Sequence, residues 1–189
     1  MAELEHQKFE ELENSLEDEE VILVIAPTED VESTNISILK HFSREEDFSS
    51  VYVTLTKPYK TVENVLEKED VKTDRIFYID CITKVQDGDA AEAENVVFLE
   101  PQALTNISIA LSNAVESLPE SNNNVLIFDT LSTLIMYNDE ETVSKFAHQL
   151  SSKIRGWGIR SILLTLREEQ DDELIENAKS FADKTVHID

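Results

Sequence analysis

The run VILVIA at Val21–Ala26 and the segment PTEDVEST that follows it at Pro27–Thr34 decide the fold class. Six consecutive apolar residues, rich in β-branched side chains, are typical of a strand that is buried on both faces of a parallel sheet. Beyond the short loop, Ile36, Leu39 and Phe42 recur at helical spacing. This order of buried strand, loop and helix is the repeating unit of an α/β domain.

The same alternation continues to the end of the chain. Helical segments with one apolar face, such as the one carrying Leu104, Ile107 and Leu111, separate further apolar runs. We therefore predict one three-layer αβα domain over residues 1–189, with a mainly parallel central sheet and an acidic N-terminal helix over residues 1–20. The predicted strands after the first are Val51–Leu55, Arg75–Asp80, Val96–Leu99, Val125–Asp129, Ser161–Leu166 and Thr185–Ile188.

Acidic residues outnumber basic ones by 40 to 16, which gives a formal net charge of -24. Nucleic acids and anionic membranes are bound through clustered Lys and Arg, so we expect neither as a partner. No apolar run reaches the roughly 20 residues that cross a bilayer, and the N-terminus lacks the apolar core of a signal peptide. We expect a cytoplasmic protein whose acidity serves solubility, life in a salty cytoplasm, or docking onto a basic partner.

Few residues offer metal-binding or nucleophilic chemistry. The single cysteine, Cys81, follows a strand-like run, so we interpret it as a small buried residue rather than a nucleophile. The four histidines lie far apart without paired ligand spacing, and we expect neither a metal nor a cofactor. Trp157 stands between two glycines, where it either ends a helix before a turn or contacts a partner.

The loop after the first strand has the length of a phosphate-binding P-loop, G-x-x-x-x-G-K-[S/T], but not its residues. Ala26 and Val31 stand at the glycine positions, Glu32 at the lysine position and Ser33 at the hydroxyl position. A β-branched residue disfavours the positive φ angles that a phosphate cradle uses, and a glutamate repels phosphate. Ser33 is therefore either a remaining metal ligand or, as we prefer, a helix cap, a role that Thr34 also offers.

A second element is the predicted strand Val125–Asp129, which ends in an acid and continues as Thr130–Ile135. This is the form of a Walker B segment, whose aspartate holds Mg²⁺ through water. With Val51–Leu55, Ser161–Leu166 and the ending Phe181–Ile188, the order resembles the RecA-like ATPases, especially the KaiC-like branch that is common in archaea. The resemblance implies an ATP-site frame at the edge of the sheet and assembly through faces beside that site.

The departures from this family's pattern shape the expected function. In the family a pair of glutamates that activates water follows the second strand, but Thr56 and Lys57 stand there. With the P-loop residues also replaced, we expect no catalytic or nucleotide-binding residue and no ATP hydrolysis; Asp129 is a relic of the metal site or a structural acid that caps the following turn. The resemblance implies a non-catalytic regulatory or protein-interaction domain, partnered by a second copy of itself or an active ATPase paralogue.

Two alternatives stay open. The domain is a sensor that binds a nucleotide or another small molecule without turnover, which depends on Asp129, Ser33 and the positive end of the helix after the first strand. The other alternative is an enzyme with a different chemistry at the same sheet edge, for which the sequence offers no nucleophile with an adjacent base.

Overall fold

The computed structural model describes residues 12, 14–15, 20–86, 90, 93–167 and 172–188. The expected acidic helix over residues 1–20 lies almost wholly outside these ranges. Within them, the strands are β1 (Val21–Ala26), β2 (Ser49–Thr54), β3 (Ile76–Asp80), β4 (Val96–Phe98), β5 (Asn124–Asp129), β6 (Arg160–Leu166) and β7 (Lys184–His187). The helices are α1 (Val31–Phe42), α2 (Tyr59–Lys68), α3 (Leu104–Glu116), α4 (Leu131–Ile135), α5 (Glu140–Trp157) and α6 (Asp172–Lys179).

The described strands form one seven-stranded sheet in the order β4-β3-β2-β5-β6-β1-β7. Every neighbouring pair is parallel, so the sheet is wholly parallel where we expected it to be mainly so. After β1 the chain passes over β6 and β5 before it enters β2, and β5 later fills the place beside β2. This topology brings the carboxyl end of β2 next to that of β5, where Thr54 pairs with Asp129.

Successive residues of each strand point to opposite faces, and both faces are covered. In β1, Val21, Leu23 and Ile25 belong to the core cluster that packs against α3, α4, α5 and α6. The alternate residues Ile22 and Val24 belong to the cluster beneath α1 and α2. The predicted α/β, three-layer architecture is therefore confirmed for the described residues. Among these residues, no helix is long and apolar enough to cross a bilayer.

Most differences from the predicted elements lie at the ends of the elements, and the short helix α4 was not predicted. Strand β2 begins at Ser49 rather than Val51, because two small polar residues continue the ladder against β5. The short helix α4 follows β5 directly, and Thr130 caps it by accepting a hydrogen bond from the Thr133 amide. The structural alternative for Asp129, a cap on that turn, is therefore wrong, since the neighbouring threonine serves there.

Candidate functional site

The carboxyl edge of the sheet between α1 and α2 holds most of the predicted site positions. Strand β1 ends at Ala26, a short 3-10 turn covers Thr28–Asp30, and α1 begins at Val31. Ser33 lies in the first turn of α1, where its hydroxyl donates to the Asp30 carbonyl at 2.9 Å. The expected cap at Ser33 or Thr34 is not found, because both residues lie inside α1 and Asp30 occupies the N-cap position. The Asp30 side chain makes no capping hydrogen bond.

Asp129, at the end of β5, is the buried acid of this edge and is only 3% exposed. Its Oδ2 atom accepts a hydrogen bond from the Tyr52 hydroxyl at 2.9 Å and one from the Thr56 hydroxyl at 3.1 Å. Tyr52 belongs to β2 and Thr56 follows that strand, so the pairing of β2 with β5 creates the contact. Two neutral hydroxyl donors therefore occupy one oxygen of the carboxylate.

Burial raises the pKa of Asp129 to about 6, because the charged form loses solvation. Hydrogen bonds from Tyr52 and Thr56 oppose this rise, as do the nearby Asn35 amide and Lys57 ammonium. The phenol of Tyr52 has a pKa raised well above its usual value, first by burial and then by the charge of Asp129. Tyr52 is therefore a hydrogen-bond donor at neutral pH.

The other oxygen of the carboxylate has no such donors. Within the described residues, no group donates a hydrogen bond to Asp129 Oδ1, and the same is true of Asn35 Oδ1. The Asn35 amide nitrogen donates to the Tyr52 hydroxyl at 2.9 Å, which fixes the amide in place. Two buried acceptors, one on α1 and one on β5, are therefore left without donors in the same region.

At the mouth of this region, Lys57 forms an ion pair with Glu32. The two side chains are 47% and 45% exposed, so water screens the pair and it contributes little to stability. The pair has a larger effect on the local net charge. The glutamate that stands where a P-loop has its lysine neutralises the lysine after β2.

These residues line a cavity of about 300 Å³ between α1 and α2, above β2 and β5. Its walls are mainly apolar side chains of the two helices, with Leu166 from the end of β6. Its polar lining comprises Thr28, Glu29, Glu32, Asn35, Tyr52, Thr56, Lys57 and Asp129. The sequence-predicted positions Val31, Glu32, Thr56, Lys57 and Asp129 are therefore brought together, while Ala26 and Ser33 do not line the cavity.

Sequence reasoning missed Asn35 and Tyr52. Asn35 is a buried polar residue among apolar neighbours on α1, and Tyr52 carries a hydroxyl in an otherwise apolar strand. A buried polar group needs a partner, and that was the signal by which either residue could have been noticed. The partners themselves could not be found, since 77 residues separate Tyr52 from Asp129.

A second buried acid, Asp80 at the end of β3, positions α2 over the cavity. Its Oδ2 accepts from the Tyr59 amide at 2.8 Å, and its Oδ1 accepts from the amides of Ile82 and Thr83 at 2.9 and 2.8 Å. Asp80 therefore serves the backbone rather than the cavity. The adjacent Cys81 is buried, which confirms the interpretation of a small buried residue. Burial also raises the pKa of its thiol to about 12.

Two further predictions concern metal ligands and Trp157. Within the described ranges, no group of three or more His, Cys, Asp or Glu side chains could hold a metal ion.

Trp157 is the last residue of α5 and packs partly buried against the core. The helix-end interpretation of Trp157 is therefore the one that the structure supports.

The comparisons with solved structures agree with this architecture. A KaiC-like protein from the hyperthermophilic archaeon Pyrococcus horikoshii matches with a TM-score of 0.64 and 11% identity, over 89% of this chain and 71% of that chain. An uncharacterized protein from the same organism, solved in complex with an unknown peptide, matches with a TM-score of 0.60 and 13% identity, over 90% of this chain and 78% of that chain. At such identities the likeness is one of fold, and the fold is RecA/KaiC-like.

None of the curated proteins matches the chain. The model of one family, described as a family of unknown function (DUF7504), matches residues 20–188. The match covers the whole sheet, from β1 to β7, and with it every residue of the cavity. The chain therefore belongs to the DUF7504 family.

Proposed function

We propose that this domain is a non-catalytic regulatory module of KaiC-like fold, which acts by binding another protein and does not hydrolyse ATP. The ion pair between Glu32 and Lys57 carries the proposal. It places a carboxylate where a P-loop has its lysine, and it neutralises the positive charge nearest to that position. A triphosphate at this edge would meet Glu29 and Glu32 without a free cation from the cavity lining.

The geometry around the acid of β5 supports the absence of turnover. Hydrolysis of ATP needs a group that orients or activates the attacking water, together with Mg²⁺ held near the phosphates. The Thr56 hydroxyl donates a hydrogen bond to Asp129, and Lys57 forms an ion pair with Glu32. Neither side chain replaces the carboxylates that activate water in the KaiC-like family, so the positions that follow β2 supply no activator.

A domain of this fold that does not hydrolyse ATP acts through the molecules that it binds. One structural neighbour was solved with a bound peptide, which is a precedent for peptide recognition on the fold. The fold's relatives among ATPases assemble through faces beside the nucleotide site, so a second copy of this chain or an active paralogue is the partner we propose.

Calorimetric titration with Mg-ATP, combined with a phosphate-release assay, tests the proposal. We expect no heat of binding at millimolar ATP and no phosphate release above the protein-free rate. Light scattering across a concentration series reports self-association, and titration with an active KaiC-like ATPase reports the paralogue. Phosphate release that disappears in Asp129→Asn would overturn the proposal, as would a strict monomer that binds no ATPase.

The cavity favours a second candidate, a sensor that binds a small molecule without turnover. Small-molecule sites are concave, mainly apolar, and contain a few polar groups that fix orientation. The cavity between α1 and α2 has this composition, with Asp129 and Asn35 as its buried polar groups. Under this proposal the ligand, rather than ATP, controls the regulatory output.

A further inference from the structure

Helices α1 and α2 cover the same face of the sheet, and an ion pair joins them at each end. Glu32 in the first turn of α1 pairs with Lys57, just before α2. Lys40 in the last turn of α1 pairs with Glu69, the residue that ends α2. The cavity of about 300 Å³ lies between these two pairs. The space between the helices is therefore a slot, with paired charges at its ends and the cavity in its middle.

The middle of the slot is lined by aliphatic side chains. Ile36 of α1 lies across the slot from Val62 and Val65 of α2, and all three side chains are only partly buried. Ile36 and Val62 pack with one side against the core cluster beneath the helices. An apolar body between the helices would remove their remaining apolar surface from water, which is favourable.

The polar groups beneath the slot are closed to a ligand. Tyr52 and Thr56 donate hydrogen bonds to Asp129 Oδ2, and the Asn35 amide donates to the Tyr52 hydroxyl. The Oδ1 atoms of Asp129 and Asn35 have almost no accessible surface, so a molecule in the slot does not reach them. A charged ligand would therefore lose its water without gaining a partner of opposite charge beneath the slot.

The charges at the mouth of the slot are balanced as well. Glu32 and Lys57 neutralise each other, and both side chains are nearly half exposed, so water solvates them without a ligand. Beyond this pair and the buried Asp129, the charged residue of the described lining is Glu29, which is exposed on the turn before α1. Water screens an exposed charge, so Glu29 attracts a cation only weakly. The reachable lining therefore selects neither sign of charge.

We propose that the slot binds a small uncharged molecule with a mainly aliphatic body, which packs between Ile36, Val62 and Val65. This inference rests on the sensor form of the proposed function and names its ligand class. A cavity of about 300 Å³ is at the lower end of the range for small-molecule sites. A ligand in this position contacts α1 and α2 together, so it links the two helices that begin at the carboxyl edge of the sheet.

Three probes of nearly equal shape test the ligand class: cyclohexylmethanol, the cyclohexanecarboxylate ion and the cyclohexylmethylammonium ion. At about pH 7.5 both ions keep their charge. We expect the alcohol to bind at least about tenfold more tightly than either ion in an NMR titration, because it alone enters the slot without losing the hydration of a charge. Nuclear Overhauser contacts of the bound alcohol should go to the methyl groups of Ile36, Val62 and Val65.

Variants locate the binding and test the balance of charge. Val65→Phe fills the half-buried wall of the slot and should abolish binding of the alcohol. The matched control Ile109→Phe changes an exposed position on α3, on the opposite face of the sheet, and should leave the affinity within about twofold. Glu32→Gln leaves Lys57 without its partner and should raise the affinity of the carboxylate probe at least about threefold.

The outcomes distinguish the ligand class from the sensor. If either ion binds in the slot as tightly as the alcohol, the sensor stands and the uncharged class is wrong. If the alcohol keeps its affinity in Val65→Phe, or contacts methyl groups elsewhere, the slot is not its site and the proposal is overturned. If no probe binds at millimolar concentration, the ligand class and the sensor both fall, while the protein-binding role is judged by its own titrations. Should Val65→Phe fail to fold, the Overhauser contacts in the wild-type chain decide where the alcohol binds.

Discussion

Asp129 is a carboxyl group whose ionised form is disfavoured by its surroundings. Its buried position raises its pKa from 3.8 to about 6, although Tyr52 and Thr56 donate hydrogen bonds to it. Between these two pH values the folded chain holds a proton that the unfolded chain releases. The higher pKa of the folded state therefore stabilises the fold below about pH 4, where Asp129 is protonated. This stabilisation is lost as the pH rises through about 6.

We therefore expect Asp129→Asn to stabilise the fold at neutral pH. The amide removes the buried charge and still offers an acceptor oxygen to Tyr52 and Thr56. The gain over the wild type should reach up to about 3 kcal/mol above pH 7 and shrink towards zero near pH 4. Urea unfolding at a series of pH values measures this gap, and a gap that is constant with pH would contradict the raised pKa.

Asp139 provides a control with the opposite sign. Its carboxylate caps α5 by accepting from the Thr142 amide and hydroxyl, and these bonds lower its pKa. The stability that Asp139 adds is therefore present above its unfolded pKa and is lost as the pH falls through its lower folded value. Asp139→Asn should be less stable than the wild type at neutral pH, and its deficit should shrink in acid.

The positions that sequence reasoning could locate are those defined by distance from a strand end. Val31, Glu32, Lys57 and Asp129 follow or end predicted strands, so the parallel fold alone places them at one edge. Asn35 and Tyr52 were not found, because their role depends on which strands are neighbours. The sequence pattern does not indicate that β2 lies beside β5, and the hydrogen bond between Tyr52 and Asp129 depends on that pairing.

Among the secondary-structure elements, the strands were predicted most closely. Continuous apolar runs mark strands that are buried on both faces, and each predicted run contains or overlaps an observed strand. The short helix α4 was not predicted, since five residues after β5 are too few to show a helical period. Its existence follows from the Thr130 cap and from the burial of Leu131 and Leu134 in the core.

The end of α5 allows a matched test of backbone conformation. Gly156 lies inside the helix, whereas Gly158 ends it with φ +64° in the left-handed region. An added methyl group would meet no atom within 4 Å at either position, so only the backbone distinguishes them. Gly158→Ala should therefore lower the free energy of unfolding by about 1 kcal/mol, because alanine disfavours positive φ.

Gly156→Ala should act in the opposite direction. Alanine is about 0.5–1 kcal/mol more favourable than glycine in a helix, and nothing near Gly156 opposes the methyl group. Chemical denaturation of the two variants gives both values with the same substitution two residues apart. Destabilisation of equal size at both positions would indicate a steric cause and would contradict the conformational one.

For the whole molecule, 40 acids against 16 bases make repulsion the dominant long-range charge effect. Ion pairs such as Lys145–Glu141 lie at the surface and offset little of it. Salt screens repulsion between exposed charges, with a Debye length that falls from about 30 Å at 0.01 M to about 8 Å at 0.15 M. We expect the transition temperature of unfolding to rise over this range of NaCl and then to level off.

The shape of that salt curve separates two interpretations of the acidity. Simple repulsion is screened by about 0.15 M salt, whereas adaptation to a salty cytoplasm would continue to stabilise the fold up to molar salt. Scanning calorimetry in NaCl, with sucrose as a non-ionic control for solvent exclusion, follows the curve. A transition temperature that falls with added salt would show that attractive ion pairs outweigh repulsion. A plateau near 0.15 M leaves the surplus charge available for a basic partner, whose binding should then weaken steeply over the same range of salt.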